Sequence, residues 1–435
     1  VYGGVRYLRE VFASHPDDVI VLRLSQSGGG SYSGAIELQG TRGESTAADD
    51  GLAALSFAST LANGLKYAAH VRAHASGGKL TASAGKLAFE ACRALTVVFC
   101  GGTNYVPDPA RGYMDAGRDP LALARVKSAA ALALPFEALY AVHVADHRAL
   151  FERMQVDLGP STPAQRALDT WSRLKARAVA GAAPDPELEA LYLQFGRYLT
   201  IASSRDSLPA NLQGMWLSDN SPAWFADYHT DINVQMNYWL ADRANLSSCF
   251  DAFTDYCLAQ VDGWTAVTRE RFNDPSNGFR NTSGKVAGWA VSFSTNIYGG
   301  NGWWWHPAGN AWLCNNLWQH YEYTLDRRHL ERIYPLLKGA CEFWEARLIT
   351  TTVTDPATGA SREVLIDDHD WSPEQGPTDA RGVTYAQELV WDLFGHYQQA
   401  SALLGRDAGY ARTIAAMRER LYLPVVSPTS GQLEE

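Results

Sequence analysis

The stretch NAWLCNNLWQHYEYTLDRRHLERIYPLLKGACEFWEARLI, residues 310–349, decides the fold. Leu313, Leu317 and Tyr321 share one helical face, and Leu330, Ile333, Leu337, Cys341 and Trp344 share another. The spacing predicts two helices, broken near Leu325 and Asp326. Outward from there the same period recurs. It runs through PELEALYLQFGRYLTIAS (186–203) and YAQELVWDLFGHYQQASALL (385–404). The connectors are long and rich in polar and aromatic residues, TTTVTDPATGASREV (350–364) among them. Helices alternating with such loops predict a helical barrel or toroid with a site at one mouth, here over residues 186–435. No short internal repeat is present.

The first third reads differently. DDVIVLRLS (17–25) is a strand after a turn, and LKYAAHVRAHASGGKLTAS (65–83) is strand, Gly-Gly turn, strand. ALTVVFCGGTNY (94–105) is an apolar strand run. Residues 1–145 are therefore expected to be β-rich, with antiparallel sheets packed face to face. DHRALFERMQVDLG (146–159) has helical periodicity, and residues 146–185 read as a helical linker. Its STPAQ start (161–165) lacks a clean capping box on this reading.

Bulk composition narrows the function. A chain of 435 residues, 46% hydrophobic and 19% charged, can bury a large core. A net charge of −10 argues against a nucleic-acid footprint and fits a neutral substrate. No run of eighteen apolar residues predicts a membrane span. Six Cys without a C-x-x-C pair give no zinc pattern, and Cys92 and Cys100 are expected to be buried thiols. No nucleophile elbow, P-loop or dinucleotide fingerprint occurs, so no cofactor is expected. Fourteen Trp and twenty Tyr supply faces suited to stacking on the C–H faces of sugars.

Three segments concentrate reactive residues. In ADYHTDINVQMNYW (226–239), the alternating His229, Asp231 and Asn233 would project to one side and line a pocket with imidazole, carboxylate and amide. The alternative is that Asp231 caps the helix that begins there. PANLQGMW (209–216) is a loop that ends on Trp216. In LIDDHDWSPEQG (365–376), Glu374 sits beside Trp371 and Pro373. Partial desolvation there would keep its carboxyl protonated, as a general acid for glycoside cleavage requires. A salt bridge to Arg381 is the plainer alternative. Asp367, Asp368 and Asp370 are further acids, and with His369 they could suggest a metal site, although the spacing matches no standard motif. In NIYGGNGWWWHPAGNAW (296–312), Trp303, Trp304, Trp305 and Trp312 could form an aromatic platform, Trp305 being the preferred residue, with His306 as a further ligand candidate.

Together these stretches resemble glycoside hydrolase family 95, the inverting α-L-fucosidases that also include α-L-galactosidases. The matching text is YLREVFASHPDDVIVLRLS, PANLQGMW, DYHTDINVQMNYW, NLSSC, PAGNAWLCNNLWQHYEYTLDRRHLERIYPLLKGACEFW and SPEQG, in that order. The resemblance implies an N-terminal β-sandwich, a helical linker and an (α/α)6 barrel carrying the site. It implies that Glu374, in the Ser-Pro-Glu motif, is the general acid. The family's H-x-N-I-N motif falls on His229, Asp231, Ile232 and Asn233; its amides hold the attacking water, and its His contacts the fucose. Asp231 stands where that pattern has Asn, so Asp231 could accept the water's proton while Asn233 orients the water. The resemblance further implies a fucosylated oligosaccharide or glycan as substrate, and a periplasmic or secreted parent. The family's later Asp-Gly-Asn-Phe-Gly-like segment and the usual opening of the sandwich are missing, so a fragment of a longer enzyme, with an incomplete barrel, is expected. A related (α/α)6 glycosidase or phosphorylase is the second enzymatic reading, but no basic phosphate-binding cluster is evident. The non-enzymatic reading is a carbohydrate-binding remnant that would tolerate loss of Glu374.

Overall fold

A computed structural model describes residues 1–214, 217, 219–354 and 359–434. The chain divides into two compact units, Val1–Arg153 and Met154–Glu435.

The first unit holds nine strands. They are β1 (Arg6–Ser14), β2 (Val19–Ser27), β3 (Tyr32–Glu37), β4 (Ala47–Asp49), β5 (Ala54–Thr60), β6 (Lys66–Ser76), β7 (Lys79–Ser83), β8 (Lys86–Cys92) and β9 (Ala94–Thr103). All pair antiparallel, in a large sheet of order β1-β2-β9-β6-β5-β4 and a small one of order β3-β8-β7. Leu55, Val71, Ala82, Leu87, Phe89, Leu95 and Val97 fill the space between the sheets. This is the expected sandwich. β9 is central and buried on both faces, which is why it reads as a continuous apolar run: Leu95 and Val97 face the small sheet, while Val98 and Cys100 face the helices. Cys92 and Cys100 are buried free thiols, as expected.

One reading needs correction. The β-rich text does not extend to residue 145. Strands end at Thr103, and α1 (Pro120–Leu132) and α2 (Phe136–Phe151) pack on the outer face of the large sheet through Ala124, Ala131 and Leu139. The Ala- and Leu-rich text of α1 is apolar nearly all round and hides a 3.6-residue period. Its start is nevertheless marked by Asp119, which accepts from the Leu121 and Ala122 amides ahead of Pro120 at the first turn. Residues 65–83 are strand, Gly-Gly turn, strand, as read. The Gly77-Gly78 turn joins strands of different sheets, because β6 pairs with β5 and β9 while β7 pairs with β8. Gly78 has φ +68°, and a Cβ there would lie 2.2 Å from the Glu90 carbonyl oxygen. Gly78→Ala is therefore expected to destabilise this unit by about 1–3 kcal/mol, read as an earlier denaturant midpoint.

The second unit begins with two short helices, α3 (Pro163–Arg166) and α4 (Thr170–Arg177). Thr162 and Gln165 do form a reciprocal capping box at α3, a T-x-x-Q signal legible in the text but passed over. The longer helices follow: α5 (Pro186–Ser203), α6 (Asn233–Arg243), α7 (Ser247–Arg271), α8 (Gly309–Thr324), α9 (Arg327–Arg347), α10 (Thr384–Leu404) and α11 (Ala408–Arg418). α6, α8 and α10 pack side by side as an inner layer, with α7, α9 and α11 outside them. Inner and outer helices alternate along the chain, as in an α/α barrel wall, and the 310–349 stretch is one such pair. Trp264, Trp289, Trp318, Phe343 and Trp344 fill the space between layers.

The connectors at one end carry the remaining strands. β10 (Tyr228–His229), β11 (Val291–Thr295) and β12 (Asn301–His306) form a small antiparallel sheet. β13 (Ile349–Thr354) and β14 (Ser361–Ile366) form a hairpin that leads into the Glu374 loop. No single helix among the described residues is long and apolar enough to cross a membrane.

Candidate active site

A cavity of about 360 Å³ is lined by Asp231, Phe293, Trp303, Trp304, Trp371 and Glu374. Three connectors meet there: the β10–α6 link, the β11–β12 pair and the loop after β14.

The β10–α6 link is shaped by strain. Ile232 has φ 149°, outside the regions a β-branched side chain favours. Helix α6 starts at Asn233 with no side-chain cap, so Asp231 is not the cap of this helix. It lies instead on the cavity wall, with its Oδ1 buried and taking no hydrogen bond from the described residues. Burial raises its pKa, and the nearby charges of Glu374 and Asp227 push the same way, against the opposing pull of its own backbone amide and of His229. Backbone strain at a pocket wall is where function is often found.

His229, Asp231 and Asn233 do not project to one side, because the extended backbone ends at His229. His229 is buried, packs at a tilt against Trp303 at 5.1 Å between centroids, and points Nε2 at Asp227 Oδ1 at 3.6 Å. Asp227 also accepts from the Ser294 hydroxyl, and burial raises its pKa. Asn233 opens α6 exposed and is not on the cavity wall.

The aromatic platform falls to Trp303 and Trp304 rather than Trp305. Trp303 has φ 59°, and the β11–β12 register slips between Ser292 and Ser294. This irregularity breaks strand alternation, so Trp303 and Trp304 are both exposed at the cavity and Trp305 and His306 both turn inward. Trp305 is 1% exposed and packs edge-on against Phe272 and Phe343. His306 is a core residue. The Thr230 hydroxyl donates to the Ser292 carbonyl at 2.9 Å, which leaves its oxygen to accept from His306 Nδ1, also at 2.9 Å. Nε2 then accepts from the Tyr385 hydroxyl at 2.6 Å. Burial depresses the His306 pKa to about 3, so the ring is neutral and both nitrogens are engaged. Phe293 stacks over it at 4.4 Å and presents its own edge to the cavity.

The loop after β14 supplies Trp371 and Glu374. Trp371 packs edge-on to Trp304 at 4.9 Å and to Phe293 at 5.7 Å, and donates Nε1–H to the Gln375 carbonyl at 2.9 Å. Glu374 lies on the wall but is exposed, so the desolvation expected from its Trp and Pro neighbours is not met. Nor is it paired with Arg381, whose Nε instead meets Asp368 at 3.0 Å. The DDHD residues are spoken for within the protein: Asp367 by Arg347, Asp368 by Arg381 and Thr282, and His369 by Asp379 at 2.7 Å. Trp216 lies outside the described residues.

Sequence reasoning thus placed Asp231, Glu374 and Trp371 on one cavity. Its Trp303 and Trp304 were visible as a tryptophan run, whereas Phe293 and Asp227 carried no distinguishing signal.

The catalytic-domain profile of glycosyl hydrolase family 95 matches residues 135–435. The chain belongs to glycoside hydrolase family 95. The N-terminal domain of glycosyl hydrolase family 65 matches residues 1–108. Among curated relatives, "Probable alpha-fucosidase A" of Aspergillus niger is 30% identical over 99% of this chain and 55% of its own length. "Alpha-L-fucosidase 2" of Arabidopsis thaliana is 29% identical over 78% of this chain and 43% of its own. The chain thus spans about half the length of these relatives. A solved structure described as "Putative kojibiose phosphorylase from human microbiome" superposes with TM-score 0.62. It is 9% identical and covers 99% of this chain and 56% of that one, a likeness of fold alone.

Proposed function

We propose that this chain carries the site of an inverting exo-glycosidase that releases terminal α-L-fucose from oligosaccharides, α-1,2-linked fucose foremost. The observation that carries the reading is two carboxyls, Asp231 and Glu374, on the wall of one aromatic-lined cavity, with an Asp231 oxygen unclaimed by the described residues. Trp303, Trp304, Trp371 and Phe293 offer apolar faces to the C–H face and methyl group of a 6-deoxy sugar. A volume of about 360 Å³ suits one sugar ring with a water. In this reading Asp231 takes a proton from the attacking water and Glu374 gives one to the departing glycosidic oxygen. Burial raises the Asp231 pKa, which makes its ionised carboxylate a stronger base. His229, buried behind the wall, packs against Trp303 and supports that face of the platform. The names of the fucosidase relatives support fucose over other sugars.

The test is release of L-fucose from a 2′-fucosylated lactose by this chain, beside the corresponding L-galactoside. Free fucose produced first as the β-anomer is expected. Turnover of the L-galactoside alone would replace the fucosidase reading with an α-L-galactosidase. Fucose binding without release from either substrate would favour a carbohydrate-binding role.

A further inference from the structure

Asp370 sits at the base of the loop that bears Trp371 and Glu374. Its backbone exchanges two hydrogen bonds with Ala380, at 2.9 and 2.8 Å, closing the loop into a ring. Its Oδ1 accepts from the Trp371 amide at 2.8 Å. Its side chain is buried beside that of Asp367. Asp367 is buried with Arg347, whose Nε donates to its Oδ1 at 2.7 Å, both side chains being 0% exposed. The rest of the Arg347 guanidinium donates to the carbonyls of Phe279, Asp368 and His369.

Charge does not balance in this cluster if both acids are ionised. One guanidinium faces two carboxylates, all out of water. The other charged groups nearby are committed elsewhere, Asp368 with Arg381 and His369 with Asp379. Tyr385 on α10 faces Asp370 and Asp231 as a neutral phenol. Hydrogen bonding is also incomplete: Oδ2 of Asp367 and Oδ2 of Asp370 are both buried, and neither accepts from any donor among the described residues. A carboxylate pair cannot hydrogen-bond without a proton between them. One proton satisfies both oxygens and leaves a single negative charge for Arg347.

We infer that Asp370 carries a proton it shares with Asp367 and, held in this way, is the positioning residue that fixes the Trp371–Glu374 loop at the cavity. Burial and the Asp367 charge both raise the Asp370 pKa well above its ordinary value, in keeping with the geometry. The role in turnover rests on the reading of Glu374 as general acid; the shared proton does not.

Two measurements on the intact chain are independent of activity. Infrared spectra at pH 7 are expected to show a protonated-carboxyl band that Asp370→Asn removes. A group whose folded pKa is raised gives stability that is fully present below its unfolded value and is lost as pH rises through the folded one. Wild-type Tm therefore falls with rising pH in a component that Asp370→Asn lacks. The two substitutions also differ: Asp370→Asn keeps a donor and is expected to hold Tm, whereas Asp367→Asn leaves Arg347 unbalanced and lowers Tm by about 5–10 °C. Equal losses in the two variants, or an unchanged band in Asp370→Asn, would overturn the shared proton. In the fucose-release assay, Asp370→Ala is expected to lose at least about tenfold in kcat/KM, with Asp370→Asn restoring it. Full activity in Asp370→Ala would overturn the positioning role. A wild type without turnover sinks the reading of Glu374 and its loop in catalysis, while the infrared and melting results still decide the proton.

Discussion

Glu374→Gln is expected to lower fucose release from an oligosaccharide by about 10²–10⁴-fold, the usual worth of a positioned general acid. It should lower hydrolysis of α-L-fucosyl fluoride far less. A sugar oxygen leaves poorly without a proton, whereas fluoride leaves without one, so only the first substrate needs the acid. Glu374 is exposed on a loop closed by the Asp370–Ala380 pair, and it makes no salt bridge to Arg381. Its loss should leave the melting temperature unchanged, which separates a chemical effect from an unfolded protein. Equal losses on both substrates would remove the acid role, because a group that protonates the leaving oxygen cannot matter equally to a leaving group that needs no proton.

What the text of this chain made legible follows from where each residue's environment is decided. The change from strands to helices was readable because period-2 and period-3.6 patterns are local, and the 310–349 pair shows both helices with their break at Leu325. The sandwich was readable as a class, but not the assignment of β6 and β7 to separate sheets, because pairing partners lie far apart in sequence. α1 escaped because its Ala-rich faces are too alike for a period to stand out. At the site, Asp231, Glu374 and Trp371 could be picked out as residues, whereas Phe293 could not. The bulge at Trp303 reverses which tryptophans face the cavity, and a bulge leaves little trace in a run of three identical residues. His306 reads as a ligand from its type alone, and only the Thr230 and Tyr385 hydroxyls show it to be a neutral core group. The strained φ at Ile232 likewise decides that Asp231 faces the cavity instead of capping α6.

Asp231→Asn is expected to lower turnover of both the oligosaccharide and the fluoride by about 10²–10⁴-fold. Asparagine has the same shape, so it can still hold a water, but it cannot take the water's proton. The leaving group is irrelevant to that step, which is why this variant should not distinguish the two substrates while Glu374→Gln does. The acid limb of the wild-type profile should lie above that of an ordinary aspartate, because burial raises the Asp231 pKa and the base works only when ionised. Activity therefore falls as pH drops through that raised value, and the residual activity of the variant should lack this limb. Stability runs the other way. The raised pKa means that the stability which protonated Asp231 gives below its unfolded value is lost as pH rises through the folded one, a cost of burying the ionised form. Asparagine carries no such cost, so the variant is expected to melt no lower than the wild type at pH 7. A variant that melts normally and keeps activity within a few-fold would show that an amide suffices at this position. Asp231 would then only hold the water, as the Asn of the family pattern does, and the proton would have to go to a carboxylate elsewhere.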